Sequence, residues 1–186
     1  MRLAHKTPIA CLLALCAGGL LALGAGHQAA AQAPADPIGL ARAGWLECEA
    51  PNAAAHTCHG ISRYVFNRDG SVDVFAEQVI SPSQHINAQI HQRIAVRDGA
   101  FCGSMDDTVI DGATVTVNGS AAPAGLAEQA RAFLRQNAAH GKQCESYQAR
   151  ADGLMLHISI DNADQPQFDR PVSFVRPTDG YRVDGP

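Results

Sequence analysis

The 186-residue sequence predicts an α+β fold, an antiparallel sheet of about six or seven strands arranged as a hairpin meander with one amphipathic helix packed on it. Three observations predict it. Asp-Gly recurs at 69–70, 98–99, 111–112, 152–153, 179–180 and 184–185, and between β-prone runs this dipeptide favours turns that need positive φ. Leu154, Leu156, Ile158 and Ile160 alternate with Met155, His157, Ser159 and Asp161, the period of two that puts one strand face in a core. Only "PAGLAEQARAFLRQNAAHG" carries apolar residues at helical spacing.

Arg2 and Lys6 flank the start of the apolar run "PIACLLALCAGGLLALGAG", and the small, Pro-bearing "HQAAAQAPADP" follows. That order is a secretory signal peptide. Cleavage after Ala31, with Ala29 three residues from the cut, avoids the proline that would follow a cut after Ala33. Residues 1–31 are therefore read as the signal peptide and 32–186 as a single disulfide-bonded α+β domain. A lipoprotein site at Cys16 would have Leu15 where a small residue is needed. As a membrane anchor the run is short and glycine-broken beside the ~20 residues of a span. No membrane span is expected after cleavage.

The expected mature chain holds 12 basic and 18 acidic residues, a formal charge of −6, with no basic run. That balance argues against nucleic acid and anionic membrane as partners. High Ala and Arg with little Lys suggests a GC-rich bacterial genome, so the expected location is periplasmic or secreted. Cys48, Cys58, Cys102 and Cys144 remain after cleavage, and an even number in an oxidising compartment reads as two disulfides. Three pairings are possible. Cys48 with Cys58 would close a short loop and leave Cys102 with Cys144, giving loops of about 10 and about 40 residues.

"GWLECEA" is the expected first strand, with Trp45 buried. "ISRYVF" and "SVDVFAEQVI" flank the first Asp-Gly, "HQRIAV" and "AFCGS" the second, "TVI" and "ATVTV" the third. The helix should enter at Pro123, expose its other face, run about four turns and leave at Gly141. "RPVSFVRP" is the last long strand, and 32–37 and 184–186 are expected to be loose. "CHGISRYVFNRDGSVDVFA" and "CESYQARADGLMLHISI" share the order Cys, Tyr, Arg, Asp-Gly and alternating strand, an echo that hairpins also produce without duplication.

Catalytic signal is weak throughout. Cys58-His59 resembles the end of a haem attachment site, but Ala55 stands where the first cysteine must be. His56 and His59 beside Cys48 and Cys58 offer ligands for zinc or copper, although a Cys48–Cys58 disulfide would remove both thiolates. His85 and His91, six apart, cannot share a metal on a strand or a helix. His140 sits at the expected helix C-terminus and His157 on a polar strand face. No Gly-x-Ser-x-Gly elbow or phosphate-binding loop is present. Asp106, Asp107 and Asp111 offer paired carboxylates for a hydrolase, but a solvated acidic loop explains them as well. Arg63, Tyr64, Phe66, Arg68 and Phe75 form the aromatic and basic set of the first hairpin, of which Arg63, Tyr64 and Arg68 are the candidate ligand- or partner-binding residues. The bland alternative places Tyr64 and Phe66 in the core.

Trp45, the four cysteines and the Asp-Gly turns, carried by "GWLECEAPNAAAHTCHGISRYVF", "VRDGAFCG", "CESY" and "RPVSFVRPTDGYRV", resemble a family of small exported alphaproteobacterial proteins with no assigned activity. Trp-x-x-Cys with a second cysteine ten residues on is also similar to the start of invasion-associated locus B proteins, likewise exported. These are framework residues. The resemblance implies an exported, disulfide-bonded domain and transfers no catalytic site.

The sequence therefore points to an exported, non-enzymatic envelope protein without a cofactor that binds another protein or a small ligand. The alternative is a periplasmic metal-binding protein or metal-dependent enzyme, with zinc or copper at His56 and His59.

Overall fold

Asp98 and Gly99 form the two-residue turn between the longest strand and its neighbour, with φ of 50° and 77°. Both signs match the mirror-image turn that suits strand twist, and glycine takes the second position without a Cβ penalty. Asp69-Gly70 and Asp152-Gly153 close two further hairpins in the computed structural model, which describes residues 36–138 and 141–184. The expected signal peptide, His140 and the Asp184-Gly185 turn reach outside the described residues.

Thirteen strands are described, many of them short. They are β1 (Leu46–Glu49), β2 (Thr57–Cys58), β3 (Gly60–Phe66), β4 (Ser71–Ser81), β5 (Ile86–Arg97), β6 (Ala100–Ser104), β7 (Thr114–Val117), β8 (Ser120–Ala121), β9 (Lys142–Arg150), β10 (Gly153–Ile160), β11 (Ala163–Asp164), β12 (Arg170–Val175) and β13 (Arg182–Val183). Three α-helices accompany them, α1 (Pro37–Arg42), α2 (Asp107–Asp111) and α3 (Ala124–Asn137).

The pairings close a ring. It runs β1, β3, β4, β5, β6, β9, β10, β12 and back to β1, antiparallel at every step. The meander is thus an eight-stranded barrel with accessory strands, where the sequence predicts a sheet of six or seven strands. Closure removes the sheet edges that a meander would expose. The seam joins chain regions far apart, with Leu46 opposite Val175 and Glu49 opposite Val172, and no local pattern announces such a pairing. β5 lies along β4 on one edge and divides the other, pairing Ala95–Arg97 with β6 and residues 86–89 with β7.

Side chains alternate across the wall. On β3, Ser62 and Tyr64 are buried while Arg63 and Val65 are exposed; on β10, Leu156 and Ile158 are buried. One end is plugged by α1, whose Ala41 packs with Tyr64, Val72, Phe101 and Phe174. Asp36 caps this helix by accepting from the Gly39 N–H at 2.9 Å, and Pro37 occupies its first turn. Pro37 is therefore fixed, contrary to the expectation of a loose end. Over the other end lies α3, with Leu126, Ala127 and Ala130 packed on Ile80, Ile86 and Val115.

Two further expectations are corrected. Asp111-Gly112 ends α2 and closes no hairpin, because Asp106 caps a short helix there by accepting from the Val109 N–H. Trp45 is half-buried at the start of β1, with the Arg176 guanidinium 5.0 Å from its ring centre. The disulfides join Cys48 to Cys58 and Cys102 to Cys144. Both lie on the outer side of the wall, since the neighbours of each barrel-strand cysteine, Glu47 and Glu49 or Phe101 and Gly103, point inward.

Candidate functional site

Alternation along β1 sends Glu47 and Glu49 into the barrel, 1% and 5% exposed. Burying a carboxyl costs free energy unless it is paired or hydrogen-bonded, and each has partners. Glu47 Oε2 accepts from the Tyr64 hydroxyl at 2.7 Å and from the Tyr147 hydroxyl. Tyr64 itself stacks on Phe101 with ring centres 4.4 Å apart. Glu49 faces Arg170 of β12, whose terminal nitrogen donates at 3.1 Å and whose Nε lies 2.7 Å from Oε2, out of line for a hydrogen bond.

Glu145 of β9 is the third carboxylate. Gln143 donates to its Oε1 at 2.7 Å, and Oε2 has no donor among the described residues. Burial raises the Glu47 carboxyl to about 8, helped by the charges of Glu145 and Glu49 and opposed by the two tyrosine hydroxyls. Burial likewise raises Glu145 to about 7, with Arg170 pulling down and Glu49 pushing up. Tyr64 and Tyr147 are held neutral by burial and by the adjacent Glu47. Burial works against the charge of Arg170, but Glu49 and Glu145 more than offset it.

Above this polar layer lies a partly open cavity of about 290 Å³. Val74, Ile90, Ile94 and Ile158 line its walls, and Phe133 and Leu134 of α3 roof it. Glu49, Glu145, Arg170, Gln78, Gln92 and Gln143 supply its polar face. Eight-stranded barrels are wide enough to be filled by side chains or to hold one small ligand, and ligand sites are mostly apolar with a few placed polar groups. This interior has both properties.

The residues singled out in the sequence are divided by the wall. Tyr64 points inward and joins the site. Arg63 points outward, its guanidinium 4.2 Å above the Phe75 ring, which stacks on His91 at 4.5 Å. Arg68 is exposed in the β3–β4 turn, and Phe66 is half-buried beneath Arg42. Arg63, Tyr64 and Arg68 therefore make no common surface. His56 stacks on Tyr181 at 5.0 Å with Nδ1 2.8 Å from the Asp179 carbonyl, whereas His59 lines the barrel cavity. The structure gives the two histidines different surroundings, and Cys48 and Cys58 are spent in a disulfide. Among the described residues no group of three or more His, Cys, Asp or Glu is placed to hold a metal.

Asp106 and Asp107 open α2, and Asp111 pairs with Arg135 of α3. Those contacts are structural. His157 lies on the outer face between Asp169 at 3.0 Å and Asp164 at 3.2 Å, and its proton affinity is raised by the bond to Asp169 and then by Asp164. Ser146 stands opposite His157 in register, but both ring nitrogens are engaged by carboxylates, so no base is left for a serine nucleophile.

Glu47, Glu49, Glu145, Tyr147 and Arg170 were not visible as a site in the sequence. The available signal was the period-two spacing of Glu47 with Glu49 and of Glu145 with Tyr147, which shows that each pair shares a face without showing that the face is inside. Among the described residues, no helix is long and apolar enough to cross a membrane. The two disulfides are consistent with an extracellular or periplasmic location. No family model matches the chain, and neither the curated proteins nor the solved structures hold a match to it, so the resemblance to small exported proteins rests on its framework residues alone.

Proposed function

We propose that this chain is an exported, non-enzymatic envelope protein that holds a small ligand inside its barrel. The observation that carries the reading is the cavity of about 290 Å³, apolar on its walls and polar on one side. It stands at the small end of the range for ligand sites, about 300–1,000 Å³. Its location between the plugged end and the roofing helix favours a compact molecule over a protein partner. Export is supported by the two disulfides and by the leader-like order of residues 1–31.

The test is titration of the purified protein with the neutral fluorescent probe N-phenyl-1-naphthylamine. Saturable enhancement that is lost in Ser62→Leu, with folding retained by circular dichroism, supports binding inside the barrel, because Ser62 lines the cavity. Enhancement unchanged by that substitution would place the probe elsewhere and overturn the reading.

A further inference from the structure

Glu47 and Glu49 are buried in the barrel and Glu145 and Arg170 half-buried beside them, and this excess of three carboxyls over one guanidinium bears on the ligand. We propose that the barrel selects a compact amphiphile carrying a protonated amine, with the ammonium at Glu145 and the apolar part against Ile90, Phe133 and Leu134. The inference rests on the reading of the barrel as a ligand site.

The charge inventory favours a cation. From β1 come Glu47 and Glu49, from β9 Glu145 and Tyr147, from β3 Tyr64, and from β12 Arg170; His59 stands among the cavity residues. Arg170 is paired with Glu49 and donates to the Phe168 carbonyl, leaving only its Nε without a hydrogen bond among the described residues, so most of its charge and donors are already used. Glu47 is supplied with two hydroxyl donors. Glu145 lines the cavity with a single amide donor, from Gln143, and a desolvated carboxylate with unfilled acceptor capacity is stabilised by a charged donor more than by a neutral one. The apolar walls argue for an organic ammonium, since a bare inorganic cation would gain nothing from them and would want more oxygen ligands.

The test is displacement of N-phenyl-1-naphthylamine from the full-length mature protein by octylamine, octanol, octanoate and calcium chloride at pH 8, with the Glu145→Gln variant in parallel. The proposal expects octylamine to displace the probe at concentrations about tenfold lower than octanol, octanoate to be weaker still, and calcium to have no effect. Glu145→Gln should bring octylamine to the level of octanol, a collapse of the difference between the two ligands that loss of folding would not produce. The octylamine preference should also shrink at pH 5, where Glu145 is protonated. Equal displacement by octanol and octylamine would overturn the amine while leaving the barrel as a ligand site. Displacement by calcium would overturn it in favour of an inorganic cation. A probe that never binds would overturn both readings.

Discussion

The Tyr64 hydroxyl donates to Glu47 Oε2 at 2.7 Å, and the Tyr147 hydroxyl reaches the same oxygen from across the barrel. One buried carboxyl thereby links β3 and β9 through β1. Tyr64→Phe keeps the stack on Phe101 and removes one donor, so it should lower stability by about 1–2 kcal/mol. Urea unfolding checks this, read as a lower midpoint with an unchanged slope. An unchanged midpoint would show that Tyr147 alone satisfies Glu47.

Stability should fall as pH rises from 5 to 8. Glu47 and Glu145 bind protons more tightly in the fold, at about 8 and about 7, than at the ordinary 4.5. The folded state therefore carries more protons than the unfolded chain across this window, and the slope of stability with pH is negative. Their contribution is complete below about 4.5 and is lost as pH climbs through 7 and 8, at about 1.4 kcal/mol for each tenfold gap in proton affinity. His157, raised by Asp169 and Asp164, acts in the same direction on the outer face. Glu47→Gln is the control, because it removes an interior contribution only. Melting temperature against pH should be shallower in that variant, and an identical slope would refute the assignment.

The two disulfides should differ in what they contribute. Cys102–Cys144 spans 42 residues of sequence and Cys48–Cys58 spans 10, so in the chain-entropy description their removal costs about 4 and about 3 kcal/mol respectively. Paired Cys→Ala variants compared by denaturant unfolding would show the order. A larger loss from the Cys48–Cys58 pair would mean that it acts through the local cluster of Leu46, Ile61, Val175 and Tyr181.

Zinc or copper gives the metal alternative a direct check. If His56 and His59 formed a centre, added metal would raise the melting temperature by linkage and His56→Ala would abolish the rise. The separate surroundings of the two rings predict no rise with either metal. His56→Ala should then cost only its stack on Tyr181 and its bond to the Asp179 carbonyl.

Hairpins were legible because their instructions are local. The alternation from Leu154 to Ile160 and the turns at Asp69-Gly70, Asp98-Gly99 and Asp152-Gly153 all lie within a few residues of the strands they specify. The helix was legible for the same reason, although it runs from Ala124 to Asn137 and stops short of Gly141. Barrel closure was not, since it depends on β1 meeting β12 and β6 meeting β9. Without closure, Glu47, Glu49 and Glu145 read as solvent-facing acids, the ordinary fate of a glutamate on a strand. Tyr64 was singled out beside Arg63, yet the pleat that makes them neighbours in sequence puts them on opposite sides of the wall.

Closure through β1 and β12 also bears on when the protein can acquire its shape. A nascent chain that has not yet been made through Val175 has no partner for Leu46–Glu49 on one side, and Arg170 is not yet present to neutralise Glu49. The hairpins can form as they emerge, but the chamber and its charge balance must arrive together, after nearly all of the described chain has been synthesised. Truncation within β12 should therefore yield an opened sheet with an unpaired buried acid, and not a smaller version of the same container.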